Sequence, residues 1–150
     1  MTEKTEPVSP ETIDRLPVAE FGFPGALRDK LVAAILSGEK TATASLRAEY
    51  RPEGEDELPR VGERAVVVDS DQRPVAVIET TELRVLPVRE VDDPFARDEG
   101  EGFRSAADWR EAHERFWGPT PEREAAGEPA WAIDDDTLVV AERFRLVERL

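Results

Sequence analysis

Cysteine is absent from this chain of 150 residues, and histidine, methionine and tyrosine occur once each. Without thiols there is no disulfide framework and no thiolate metal site. A lone imidazole gives no paired His or Cys spacing, so neither a metal nor a cofactor is expected. Long apolar runs are missing as well. The longest, Leu31 to Leu36, is far shorter than the roughly 20 residues of a membrane-spanning helix. The opening segment MTEKTEPVSPETIDRLP has neither the basic start nor the apolar centre of a secretory leader. A cytoplasmic domain with no membrane partner is the expectation. Positive charge is also scarce: 20 Lys and Arg against 34 Asp and Glu leave a net charge of −14. Proteins that grip nucleic acid by its phosphates need a basic face. No DNA partner is therefore expected, and RNA is disfavoured unless Arg28, Lys30, Lys40 and Arg47 form a local patch. A small uncharged ligand such as a nucleoside meets no such obstacle.

The length suits one domain with a working core. Residues 1–19 read as a mobile Pro/Glu/Thr-rich tail, in which Ile13 and Leu16 can start a short helix, and 20–150 as the domain. Pro24 suits the first helical position, Leu27, Leu31, Ala34 and Ile35 recur at helical spacing, and Gly38 ends the run. A strand is expected over Thr41 to Leu46 and a polar loop over 51–58. The period then becomes two, predicting strands in Ala65–Val68, Val75–Thr81, Leu83–Val88 and Thr137–Glu148. Phe95 to Gly102 reads as an acidic turn and loop. Ser105 with Asp108 signals a helix start, Trp109, His113 and Phe116 share one face, and 118–130 reads as loop. Many short strands, two helices and no strand–crossover alternation give an α+β class. A mostly antiparallel, curved or closed sheet with helices over its openings is expected.

One junction concentrates chemistry. Gly38-Glu39-Lys40-Thr41-Ala42-Thr43 places an amine and a hydroxyl three residues apart where a helix passes into a strand. Two readings stand side by side: a helix C-terminus with glycine at C′ and a lysine at the negative end of the dipole, or a ligand-facing rim. On a regular strand positions 40 and 43 point to opposite faces, so convergence requires an irregular backbone at Thr41 and Ala42. Glu142 is in phase with Val140 and Phe144 and aims a carboxylate inward, which demands a partner or a proton. An internal partner such as Arg64 or Arg143, a local bulge, and a role in a site are the readings that stand.

The segments Phe21–Gly25, Gly38–Leu46, Leu58–Gly62, Val77–Glu82, Glu99–Gly102 with Trp109–His113, and Glu142–Phe144 together resemble the ASCH domain family, in its bacterial stand-alone branch. The similarity covers about residues 20–149. The Gly-x-Lys-x-x-Thr signature falls on Gly38, Lys40 and Thr43. The resemblance implies a PUA-like mostly antiparallel β-barrel with flanking helices. It also implies a cleft where the motif lysine and threonine meet an acidic residue of the later loop. Family activities include RNA binding, removal of the acetyl group from N4-acetylcytidine, and ribonuclease action, so resemblance alone does not choose among them.

On the hydrolase reading, Thr43 attacks an acyl carbon and Lys40 takes its proton if burial leaves the amine neutral. If a carboxylate dominates, Lys40 stays charged and the carboxylate is the base. The third member is expected from Glu99-Gly100-Glu101-Gly102, with Glu101 preferred over Glu99 and the glycines allowing close approach to a ligand. Substrate contacts are expected from Glu99, Ser45, Glu79, Trp109 and Glu142. Glu79 lines the cleft or pairs with Arg84, and Trp109 stacks a base or belongs to the core. The function expected is a small amidohydrolase for an acylated nucleoside. The alternatives are a binding module for RNA or a modified nucleotide, and a ribonuclease.

Overall fold

A computed structural model describes residues 9–50 and 58–150. The order is α1 (Pro10–Arg15), β1 (Val18–Ala19), α2 (Ala26–Ser37), β2 (Ala42–Leu46), β3 (Arg64–Val68), β4 (Pro74–Pro87), α3 (Asp93–Asp98), α4 (Ala106–Trp117), α5 (Pro121–Ala125) and β5 (Leu138–Arg149). The expected loop at 51–58 lies outside the described residues, save Leu58. The helix at Pro10–Arg15 falls where Ile13 signalled one, capped by the Ser9 hydroxyl. The sheet begins before residue 20, because Val18 and Ala19 pair in parallel with Val66 and Val67.

The five strands run in the order β1-β3-β4-β5-β2, antiparallel except for the β1–β3 pair. The expected barrel does not close. Its two edge strands, β1 and β2, are short and do not meet, so the result is an open mixed sheet with helices on both faces. The two strands expected over 75–88 are one. β4 runs unbroken, but Thr81 has no partner between the Thr80–Phe144 and Glu82–Arg143 pairs. That extra residue is a bulge that moves the even positions from one face to the other, Ala76 and Ile78 packing on the α2 side and Leu86 on the α3–α4 side, which makes one strand read as two.

Each face buries its own apolar cluster. On one, Ala42, Leu46, Leu86, Val139 and Ala141 pack against Phe95 of α3 and Trp109 and Trp117 of α4. On the other, Val67, Ala76, Ile78 and Phe144 pack against Leu31, Val32 and Ile35 of α2, with Phe21 edge-on to Phe144 at 5.8 Å. α2 starts two residues after Pro24, with Gly25 as N-cap, so Pro24 is not its first residue. Gly38 ends it in the left-handed region, at φ 85°, as a C-terminal glycine should. α4 is capped by the Ser105 hydroxyl accepting from the Asp108 amide, while the Asp108 carboxylate turns back to the Arg104 amide. Within 118–130, expected as loop, Thr120 caps the short helix α5.

Candidate functional site

The turn that follows α2 is built by backbone closure. The Lys40 amide donates to the Ala34 carbonyl at 3.0 Å, and the Thr41 amide donates to the Asp98 carbonyl at the end of α3 at 2.8 Å. The chain is therefore irregular from Gly38 to Thr41, and Ala42 already belongs to the regular ladder opposite Arg143. The irregularity lies before the strand rather than at Thr41 and Ala42 together. Lys40, outside the strand, escapes the two-residue alternation, which brings its side chain to the cavity that Thr43 also lines.

Gly100 explains the meeting of the two segments. It adopts φ +68°, and a Cβ there would stand 2.6 Å from the backbone of Glu39 and Lys40. The expected role of the loop glycines was approach to a ligand. Gly100 instead lets the 99–102 loop lie directly on the motif turn.

That docking surrounds the Lys40 ammonium. Its Nζ donates to the Ala42 carbonyl at 2.9 Å and the Glu99 carbonyl at 3.2 Å, and faces Glu101 Oε2 at 3.5 Å, with the ring of Phe21 5.9 Å away. Lys40 is 2% exposed. Three acceptors around one nitrogen match the three N–H donors of an ammonium, which has no lone pair to offer. Thr43, half-buried, has no hydrogen-bond partner for its hydroxyl among the described residues.

Glu99 and Glu101 have different surroundings. Glu101 is half-buried beside Lys40. Glu99 is 1% exposed, and its Oε2 has no hydrogen-bond partner among the described residues. Burial pushes the Glu99 carboxyl up to about 8, against the pull of the Lys40 charge and with a further push from Glu101. Beside it, His113 Nε2 lies 3.6 Å from Glu99 Oε2, while Nδ1 is 2.8 Å from the Trp109 carbonyl and must donate to it. Burial lowers the imidazole to about 4. At neutral pH the pair is thus a protonated acid beside a neutral ring. His113 was expected only as a hydrogen-bonded face residue. The signal for more was its spacing of four from Trp109, on which it stacks at 4.2 Å.

Two carboxylates and an imidazole converge in a chain where no metal was expected. Ligand atoms of Glu99, Glu101 and His113 all lie within 4.8 Å of one another. The set was not legible as a motif because the histidine lies on α4, outside the loop that carries the acids.

The remaining candidates divide. Ser45 lines the cavity and shares a hydrogen bond of 3.0 Å with the Tyr50 hydroxyl. Glu142 also lines it, directly across the ladder from Thr43. Its partner is not Arg64 or Arg143 but the Thr80 hydroxyl, at 3.2 Å, and burial raises its carboxyl above the usual range. Glu79 is outside the cavity and pairs with Arg64 and Arg145, both at 3.0 Å, not with Arg84. The hydrogen bonds from Arg145 and Arg64, helped by their charges, hold its carboxyl low. Trp109 is fully buried in the core and lines no part of the cavity. Glu79 is held away from the cavity by arginines on both neighbouring strands, and Trp109 by the packing of its α4 face onto the sheet.

The cavity measures about 1030 Å³, the upper end of the roughly 300–1,000 Å³ typical of small-molecule sites. Phe23 and Phe116 form part of its wall, and the buried Arg123 guanidinium lies over both rings while donating to the Phe116 and Pro129 carbonyls. Of the four candidates for a basic patch, Arg28 and Lys40 are buried and donate to protein carbonyls, Arg28 to that of Gly22 at 2.9 Å.

No helix among the described residues is long and apolar enough to cross a membrane. No curated protein matches the chain. Similar solved structures include the following two. An ASCH domain from Lactobacillus crispatus JV V101 has 33% identity and a TM-score of 0.68, the match covering 93% of this chain and 86% of that one. A protein from Enterococcus faecalis V583, described under family DUF984, has 28% identity and a TM-score of 0.70, covering 90% and 82%. Residues 18–148 match the family model for the ASCH domain, and the chain belongs to the ASCH domain family.

Proposed function

We propose that the cavity takes an acylated nucleoside or a similar small amide and hydrolyses it through Thr43, Lys40 and Glu101. One observation carries the reading: a fully coordinated ammonium and a half-buried carboxylate stand together at the wall of a cavity that also holds an unengaged hydroxyl. Thr43 Oγ1 attacks the acyl carbon and Glu101, directly or through one water, accepts the hydroxyl proton. The Lys40 charge stabilises the oxyanion. As the C–N bond breaks, Glu101 returns the proton to the leaving amine. Water then hydrolyses the Thr43 ester with Glu101 again as base.

The same cavity argues against a phosphate track. Among the described residues four cations line it, and three of them, Arg28, Lys40 and Arg123, are buried and donate to protein carbonyls. Of these four Lys30 alone is exposed, too little for a polyanion but no hindrance to an uncharged nucleoside.

The test is incubation with N4-acetylcytidine and simple acyl amides, with products read by mass spectrometry. Deacylation is expected. Thr43→Ala should lower kcat by at least about 100-fold, and Thr43→Ser should retain part of it. Lys40→Ala is a poorer probe, because removing a buried, triply bonded side chain also unfolds its surroundings. A folded wild-type protein that binds nucleosides but releases no acyl group would leave a recognition module instead.

A further inference from the structure

We propose that Glu99, Glu101 and His113 form a binding site for a divalent transition-metal ion of the zinc or manganese kind. Three observations carry it. The ligand atoms of the three residues lie within 4.8 Å of one another. Glu99 Oε2 is buried and has no hydrogen-bond partner among the described residues, although it faces a nitrogen 3.6 Å away. That nitrogen offers a lone pair, because the other ring nitrogen of His113 donates to the Trp109 carbonyl. What lies between two such lone pairs is a proton or a cation.

The spacing suits the cation. Two ligands bound at about 2.1 Å in a tetrahedron are about 3.4 Å apart, close to the Glu99–His113 separation. The Trp109 carbonyl bond is the outer support that fixes tautomer and ring orientation in metal-bound histidines. Glu101 supplies the third donor from a loop flanked by Gly100 and Gly102, both at positive φ, and the cavity leaves room for a water or ligand in the remaining position. One imidazole with two carboxylates favours zinc or manganese over magnesium, which prefers oxygen alone.

The nearest opposing charge is the Lys40 ammonium, 3.5 Å from Glu101 Oε2. It keeps two carbonyl partners when Glu101 turns away. The ion and Lys40 thus compete for Glu101, which makes the ion an antagonist of the acyl-transfer arrangement rather than part of it.

The test uses untagged, chelator-stripped protein titrated with zinc chloride and manganese chloride. One ion per chain is expected by calorimetry. Because His113 is the only histidine in the chain, its ring proton resonance reports the site without any variant. Zinc should shift that signal and manganese should broaden it. Glu99→Gln should weaken binding at least ten-fold with the fold retained, whereas Thr43→Ala should leave it unchanged, separating this site from the hydrolytic reading. Asp134→Asn with Asp136→Asn, on the exposed acidic turn, should also leave it unchanged. Absence of binding at millimolar ion, or binding that leaves the His113 signal unmoved, would overturn the proposal.

Discussion

Two residues along β5, one face of the sheet changes character. Phe144 packs under α2 against Phe21, Ile78 and Val67, whereas Glu142 opens onto the cavity with Thr80, Thr43 and Ser45. The same strands supply both halves, so strand formation does not separate them. Cover does. α2 has 12 residues and spans about 18 Å, while the 12 residues of β5 run about 40 Å. A helix of that length cannot roof the strand, and Gly38 stops it. Beyond its end the sheet face carries hydroxyls and a carboxylate instead of an apolar roof.

The contrast is broken most directly in the dry half. Phe144→Ala deletes a ring that is 4% exposed and in edge contact with Phe21. A loss of about 3–5 kcal/mol is expected in denaturant unfolding. A loss below about 1 kcal/mol would mean that α2 does not depend on this face.

Gly100→Ala attacks the joint between the halves. A left-handed φ on alanine and a methyl 2.6 Å from the Glu39–Lys40 backbone together cost about 2–4 kcal/mol. The diagnostic part is local. Amide exchange should accelerate at Lys40 and Thr41, whose bonds to Ala34 and Asp98 hold the turn, before it does in β3. Uniform acceleration throughout the sheet would show that the glycine serves global stability alone.

The polar half should behave in the opposite way. Thr43→Val keeps the shape and removes a hydroxyl that bonds to nothing among the described residues. Stability should change by less than about 1 kcal/mol, since no buried partner is stranded. Hydrolysis of an acyl amide should vanish. Retained turnover would remove Thr43 as nucleophile while leaving the cavity intact.

Much of this division was legible in the chain. Gly38 as a terminator, Ser105 as a cap and the inward phase of Glu142 follow from local rules of backbone geometry and periodicity. The bulge at Thr81 hid a single strand as two, because one extra residue reverses the alternation on which strands are read. Other features depended on partners far along the chain. The parallel pairing of Val18 with Val66 has no local signature. Glu79 read as a site residue because its arginines arrive from neighbouring strands. Glu99 and Glu101 look equivalent in sequence, and only the docking of Gly100 on the Lys40 turn buries one and leaves the other beside the ammonium.

The smallest effect concerns pH and sharpens the contrast at Glu142 itself. Burial raises its carboxyl, the Thr80 hydroxyl and the Lys40 charge oppose that rise, and the Glu63 charge adds to it. A carboxyl with a raised value in the folded state holds its proton more tightly there than in the unfolded chain. Its contribution to stability is complete below the ordinary carboxylate range and fades as pH rises through the folded value. Glu142→Gln removes the titration and keeps the shape. The variant should gain on the wild type as pH increases from about 4 to 7, when unfolding is followed by denaturant at each pH. Glu99 and His113 titrate in both proteins and cancel in the difference. A wild type that instead gains on the variant with rising pH would show an ionised Glu142 stabilised in the fold, with the Lys40 charge outweighing burial.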